Sequence, residues 1–184
     1  LPDTDDEVVI RAIKAGDKLT GLSLGDAAFT PLKTFLQKEA KKYQDASLAR
    51  TYAAFLRSKV VGYITLVCGQ VDISENGEPS LPDGNDVQYR YDHYPAVKIA
   101  RLAVAKDHQG SGLGSALVDL ALGVTEANVC PTVGCRFIVV DSKRQSVGFY
   151  KKAGFVMIDT PENEERDHPV MFIDMMKAVK AASD

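Results

Sequence analysis

The run Gln109-Gly110-Ser111-Gly112-Leu113-Gly114 is where residue types and spacing most clearly imply chemistry. Glycine permits backbone dihedrals and close approaches that a Cβ forbids. Where such a run opens a helix, successive N–H groups and the local partial positive charge can surround phosphate oxygens. Leu113 then anchors that helix in the core. Single residues exclude two other kinds of phosphate loop. Ser115 stands where a nucleoside-triphosphate loop needs lysine, and where a fingerprint Gly110-x-Gly112-x-x-Gly needs its third glycine. The run also follows at least three predicted strands, too late for the opening of a dinucleotide fold. A glycine-rich turn with no ligand is the alternative.

The elements around the run must place it. A strand over Val97–Val104 leads in, and a helix over Leu113–Thr125 leads out, with Leu113, Leu117, Leu120, Ala121 and Val124 as its buried face. Upstream, Val8–Ile13 reads as a first strand. Thr30 is expected to cap a helix that has Pro31 at its start and Leu32, Phe35, Leu36, Ala40 and Tyr43 on one face. Ala49–Leu56 and Val60–Cys68 form a hairpin about Arg57-Ser58-Lys59. Downstream, Arg136–Val140 is a short apolar strand, and Ser142 with Gln145 resembles a capping box for a helix that stops at Gly154. Phe155–Ile158 and Val170–Met175 are strands around an acidic turn, Pro161–Asp167. Gln70–Pro95 reads as an exposed acidic excursion, with Tyr89, Tyr91 and Tyr94 either over a cleft or covering the sheet edge. No composition break divides the chain, so residues 1–184 are expected to form a single domain.

Composition narrows the classes. A chain of 184 residues, 45% hydrophobic and 26% charged, suits a soluble globular protein, and no run of eighteen uninterrupted apolar residues suggests a membrane span. The first residues lack the basic-then-apolar order of a secretory signal. Cys68, Cys130 and Cys135 are odd in number and share no ligand spacing with His93, His108 and His168. Reduced thiols, a cytoplasmic setting and no metal are the expectation. With 22 basic against 25 acidic side chains, the net charge of -3 argues against bulk electrostatic capture of nucleic acid.

The segment from Val97 to Val104, the loop from Gln109 to Gly114, and Phe149-Tyr150-Lys151-Lys152-Ala153-Gly154-Phe155 together resemble the GCN5-related N-acetyltransferases. The resemblance implies a mixed, mostly antiparallel central sheet flanked by helices, and acetyl-CoA as the acetyl donor. It implies that Gln109, Gly110, Ser111, Gly112, Leu113, Gly114 and Ser115 hold the pyrophosphate, and that Leu102, Ala103 and Val104 line pantetheine. It also implies that Tyr150 is the catalytic acid that protonates the departing thiolate. A phenol is chemically suited to that task, although Tyr150 as a packing aromatic is the alternative. By this account Phe149 and Phe155 are the better core residues. Many relatives carry Asn where this chain has Lys143. The strand before the loop offers Lys98 and Arg101 where Glu is common, and Arg101 cannot act as a base. It could instead grip a phosphate or carboxylate, or support the strand. Asp141, through water, is the nominee for the base.

A narrower resemblance joins Phe29, Leu32, Phe35-Leu36, Ala40, Leu48-Ala49-Arg50-Thr51, Val60 to Leu66 and Arg101 to Val104. These segments are similar to acetyltransferase toxins of bacterial toxin–antitoxin pairs. The implied acceptor is aminoacyl-tRNA, with a small antitoxin partner and with Lys38, Lys41, Lys42, Arg50, Lys143 and Arg144 toward RNA phosphate. The acidic balance instead favours a primary amine on a small molecule or protein. A catalytically silent CoA-binding module and an interaction protein are further alternatives. A homodimer joined through Val170–Met175 is an open expectation.

Overall fold

A computed structural model describes residues 7–72, 91 and 93–178. The strands are β1 (Val9–Ala12), β2 (Arg50–Leu56), β3 (Lys59–Asp72), β4 (His93–Val104), β5 (Phe137–Asp141), β6 (Val156–Met157) and β7 (Val170–Asp174). They form one sheet in the order β1-β2-β3-β4-β5-β7-β6. Pairing is antiparallel between β1 and β2, β2 and β3, β5 and β7, and β6 and β7. It is parallel between β4 and β5. The expected mixed, mostly antiparallel sheet flanked by helices is what forms. The helices are α1 (Thr30–Lys38), α2 (Ala40–Asp45), α3 (Leu113–Val124), α4 (Cys130–Val133), α5 (Val147–Lys152) and α6 (Pro161–Glu165). The chain divides into two compact units, Leu1–Val67 with Ala100–Ala121, and Cys68–Ile99 with Leu122–Asp184.

In the first unit, the β2–β3 hairpin turns on Arg57 and Ser58, whose φ angles are 48° and 65°. Two consecutive left-handed residues match the twist of a hairpin, a turn normally given to Asn and Gly. Thr51 and Thr65 face one another across the strands and share a buried hydroxyl hydrogen bond of 2.9 Å. Alternation along β3 then fixes both of its faces. A Cβ on Gly62 would lie 3.2 Å from Leu113 and 3.3 Å from Leu117 of α3. The neighbouring Tyr63 points the other way and donates a 2.7 Å hydrogen bond to the Leu32 carbonyl of α1. Thr30 is the first residue of α1 rather than its cap, and no side chain caps that helix. Asp26 instead accepts from Ala28 N–H one turn earlier. The expected continuous apolar face is broken at Glu39, yet Phe35, Leu36 and Ala40 are buried and Phe35 meets Tyr43 edge to face at 5.3 Å.

In the second unit, Val71, Tyr94, Phe137, Val139, Ile158, Val170 and Phe172 pack as one apolar cluster. Tyr94 is therefore a core residue, its ring edge-on to Phe137 at 5.6 Å, whereas Tyr91 is exposed. The expected excursion is shortened at both ends because β3 runs on to Asp72 and β4 starts at His93. Most of the remainder, Tyr89 included, lies outside the described residues. The segment expected as an acidic turn forms α6, because Thr160 accepts from Asn163 N–H as its N-cap. Asn163 is fully buried and donates to the carbonyls of Ile158 and Val170 while its own oxygen accepts from Val170 N–H. The capping box does not form. Ser142 is buried and donates to the Lys143 carbonyl, and no side chain caps α5.

The buried face of α3 is Leu113, Leu117, Val118 and Ala121, with Leu120 and Val124 only half-buried. From α3 the chain continues through a π-helical turn into α4. This gives a helical stretch Leu113–Val133 of 21 residues and mean hydropathy 1.3, long and apolar enough to cross a membrane by length and composition. That outcome departs from the expectation drawn from uninterrupted apolar runs. The burial of four α3 residues is the pattern of a core helix.

Candidate active site

The phosphate-loop geometry is built by the backbone. After β4, Ala105 N–H donates to Val61 O and Lys106 N–H to Ser23 O, both at 2.8 Å, which pins the loop's entry to the first unit. Gly110 and Gly112 then adopt φ of 77° and 87°. A Cβ at either would meet nothing within 4 Å, so conformation rather than crowding demands glycine there. The first α-helical bond of α3 runs from Ala116 N–H to Gly112 O at 3.0 Å. The amides of Gly112, Leu113, Gly114 and Ser115 precede it and, as at any helix start, have no carbonyl one turn back to pair with. Ser111 closes a turn by donating its hydroxyl to His108 O at 2.7 Å, and Gln109 donates to Val104 O at 3.3 Å. Gln109, Gly110, Ser111, Gly112 and Ser115 are exposed, Gly114 is half-buried, and Leu113 is buried as the anchor. Four amides at the positive end of a twelve-residue helix suit a pyrophosphate.

Leu102, Ala103 and Val104, the predicted pantetheine strand, lead directly into this loop in the same unit. Ala103 is buried, and Leu102 and Val104 are half-buried. The ladder of β4 with β5 joins Ala96–Lys98 to Phe137–Val139, while β4 continues to Val104 and β5 to Asp141.

Tyr150 belongs to the second unit. Helix α5 turns it inward, so it is 6% exposed, while Phe149 is only half-buried. The expectation that Phe149 would be the core residue is thus reversed for this pair, and Phe155 is buried as expected. The Tyr150 ring stands edge to face with Phe149 at 5.0 Å and Phe155 at 5.2 Å. Its hydroxyl has no hydrogen-bond partner among the described residues, and it is not one of the fully enclosed unpaired polar atoms. The ring is caged by these two aromatics. Burial pushes the phenol pKa well above its ordinary value, which keeps the proton on oxygen.

Asp141, nominated as base, is held by Lys98 in an ion pair of 2.5 Å. Lys41 is likewise engaged, donating to the carbonyls of Ala15 at 2.6 Å and Asp17 at 2.7 Å rather than facing RNA. Among the described residues no group of three or more His, Cys, Asp and Glu side chains could hold a metal. Arg101, expected from sequence to grip a phosphate or carboxylate or to support the strand rather than act as a base, lies against α1. Its guanidinium lies 3.6 Å from the centroid of the Phe35 ring, a contact between distant segments that no local signal announces.

A mixed, mostly antiparallel sheet flanked by helices is the fold of the acyl-CoA N-acetyltransferases. The family model of the acetyltransferase (GNAT) domain matches residues 87–179, and the chain belongs to that family and is an acetyl-CoA-dependent N-acetyltransferase. A tRNA-acetylating toxin of Mycobacterium tuberculosis is 29% identical over 133 residues, 71% of this chain and 72% of the relative. The structure of AtaT complexed with acetyl-methionyl-tRNAfMet superposes with a TM-score of 0.77 at 22% identity, covering 97% of this chain and all (100%) of that one. AtaTR bound with AcCoA gives a TM-score of 0.74 at 23% identity, covering 98% and 100%. These solved structures share the fold.

Proposed function

We propose that the chain transfers acetyl from acetyl-CoA to the amine of an aminoacyl-tRNA, and that a small antitoxin partner restrains it. The observation that carries this reading is the likeness to the M. tuberculosis toxin across 71% of the chain. The fold shared with AtaT, which has been captured with an acetylated aminoacyl-tRNA, agrees with it. A small-molecule or protein amine, favoured by net charge alone, has no comparable support. The overall charge of -3 is also less of an obstacle than it first looks, because Lys33, Lys38 and Lys42 stand exposed on α1 and α2.

On this reading the amides from Gly112 to Ser115 hold the pyrophosphate, aided by Gln109, Gly110 and Ser111, and Leu102, Ala103 and Val104 line pantetheine. The neutral amine attacks the acetyl carbonyl, the carbon–sulfur bond breaks, and Tyr150 O–H gives its proton to the departing thiolate. The amine's own proton goes to water. With an α-amino pKa of about 8 or below, much of the acceptor is already neutral near pH 7.5, so no strong base is required.

Thiol release from acetyl-CoA, measured with separate pools of charged tRNA, peptides and small amines, tests the acceptor. Turnover dependent on charged tRNA is expected. Turnover with the other pools and none with charged tRNA would overturn the reading.

A further inference from the structure

We infer that Arg101, held flat on Phe35, forms a second anion site that takes a backbone phosphate of the acceptor RNA's 3′ end. The inference rests on the aminoacyl-tRNA reading, and it assigns a binding residue that the donor does not use.

Arg101 is half-buried on β4, with its guanidinium carbon 3.6 Å from the Phe35 ring centroid. Stacking satisfies the flat face of a guanidinium and leaves its N–H donors in the plane. Among the described residues those donors make no hydrogen bond and meet no carboxylate. The other arginines for which contacts are described differ. Arg11 forks onto Asp17 with two bonds of 2.8 Å, and Arg136 is ion-paired with Asp174, its Nη2 donating at 2.9 Å. A cation drawn partly out of water and given no counter-charge among the described residues is costly unless a ligand supplies one. Here the planar guanidinium is also held against a ring, which lowers the entropy lost when two of its donors grip a phosphate.

The face of the sheet separates this site from the donor loop. Gly62 abuts Leu113 and Leu117, so α3 and its amides belong to one face of β3. Tyr63 bonds α1, and the Phe35 of that same helix carries Arg101, so Arg101 belongs to the other face. An anion taken there is not the pyrophosphate in the α3 amides. Exposed Lys38, three residues on from Phe35 in α1, adds positive charge on the same side of that helix. A phosphodiester chain, which carries a charge at every nucleotide, suits neighbouring cations better than an isolated carboxylate does.

The test is fluorescence anisotropy with a labelled, uncharged single-stranded RNA ending in CCA, across graded salt. Arg101→Gln is expected to weaken binding roughly tenfold, as loss of a charge-assisted contact does. It should make the slope of log affinity on log salt shallower by about 0.7, one phosphate's worth for a single strand. Acetyl-CoA affinity should be unchanged. An Arg101→Gln protein that is folded by circular dichroism and binds RNA with the parent's affinity and slope overturns the assignment, as does a parent that does not bind the RNA. If Arg101→Gln does not fold, Arg101→Lys decides. It should keep the slope but lose affinity because an ammonium cannot fork, and parental affinity would overturn the site. Failure of the acceptor reading looks different, with parent protein that binds this RNA at Arg101 yet releases no thiol with charged tRNA.

Discussion

On the proposed function, the glycine loop and the helix around Tyr150 put function into different parts of the polypeptide. In the loop the useful atoms are backbone amides, aimed by positive φ at Gly110 and Gly112 and by the start of α3. In α5 the useful atom is one side-chain oxygen, and its surroundings are two aromatic rings that contribute no polar group. Binding through backbone tolerates any side chain that leaves the dihedrals alone and does not fill the concavity. Chemistry through a phenol tolerates changes in shape poorly and the loss of a single oxygen not at all. If the contrast is right, substitutions in the two places damage different constants.

The largest effect is expected from Tyr150→Phe. The ring, the cage and the packing remain, and only the proton donor is removed. Acetyl transfer should fall in kcat by about a hundredfold or more, the usual scale for loss of a positioned acid. The acetyl-CoA Kd should stay within about twofold. The pH dependence sharpens the same point. Burial raises the phenol pKa, so the neutral, proton-donating form persists above pH 10, and its ionisation should contribute no decline in kcat between pH 7 and 9. A decline over that range in the parent that disappears in Tyr150→Phe would show a phenol that ionises early, and would break the assignment.

Gly112→Glu should do the opposite. It places bulk and negative charge at a position whose φ is 87° and beside four amides that favour an anion from outside. Acetyl-CoA should bind about tenfold more weakly or worse, and kcat at saturating donor should stay near the parent's. Calorimetric titration of acetyl-CoA reads the first quantity, and thiol release reads the second. Unchanged donor affinity in a folded variant would remove the pyrophosphate from this loop.

The difference between the two regions also explains what was legible in the sequence. The loop was readable because left-handed backbone demands glycine, and glycine spacing is visible in one dimension. Tyr150 was singled out by resemblance, but its burial ahead of Phe149 was not foreseen, since helix rotation is decided by packing. The β2–β3 hairpin was placed correctly by its alternating strands even though Arg57 and Ser58 give no turn signal. The role of Asn163 and the seat of Arg101 on Phe35 were not legible, for one reason. Each does its work against segments far away in sequence, Asn163 against β7 and Arg101 against α1. The acidic stretch from Pro161 was misread because charge density suggested a solvated turn, while the Thr160 cap and the buried Asn163 amide make one short helix worthwhile.

The smallest effect, Gly110→Ala, isolates the conformational half of the loop's contribution. At Gly62, in ordinary strand backbone, an added methyl would meet Ala103 O at 3.1 Å and two leucines, so the effect would be one of packing. At Gly110 the methyl meets nothing within 4 Å, and the cost is the left-handed backbone alone, about 1–2 kcal/mol for a residue with a Cβ. Part of that cost disappears if the exposed loop relaxes, and relaxation turns amides away from the ligand. Donor affinity should therefore fall only a few-fold, less than for Gly112→Glu, with the melting temperature close to the parent's. A loss as large as that of Gly112→Glu would mean that Gly110 itself touches the donor. No loss would mean that the positive φ at this position is not what aims the amides, and the loop's specificity would then rest on Gly112 and the start of α3.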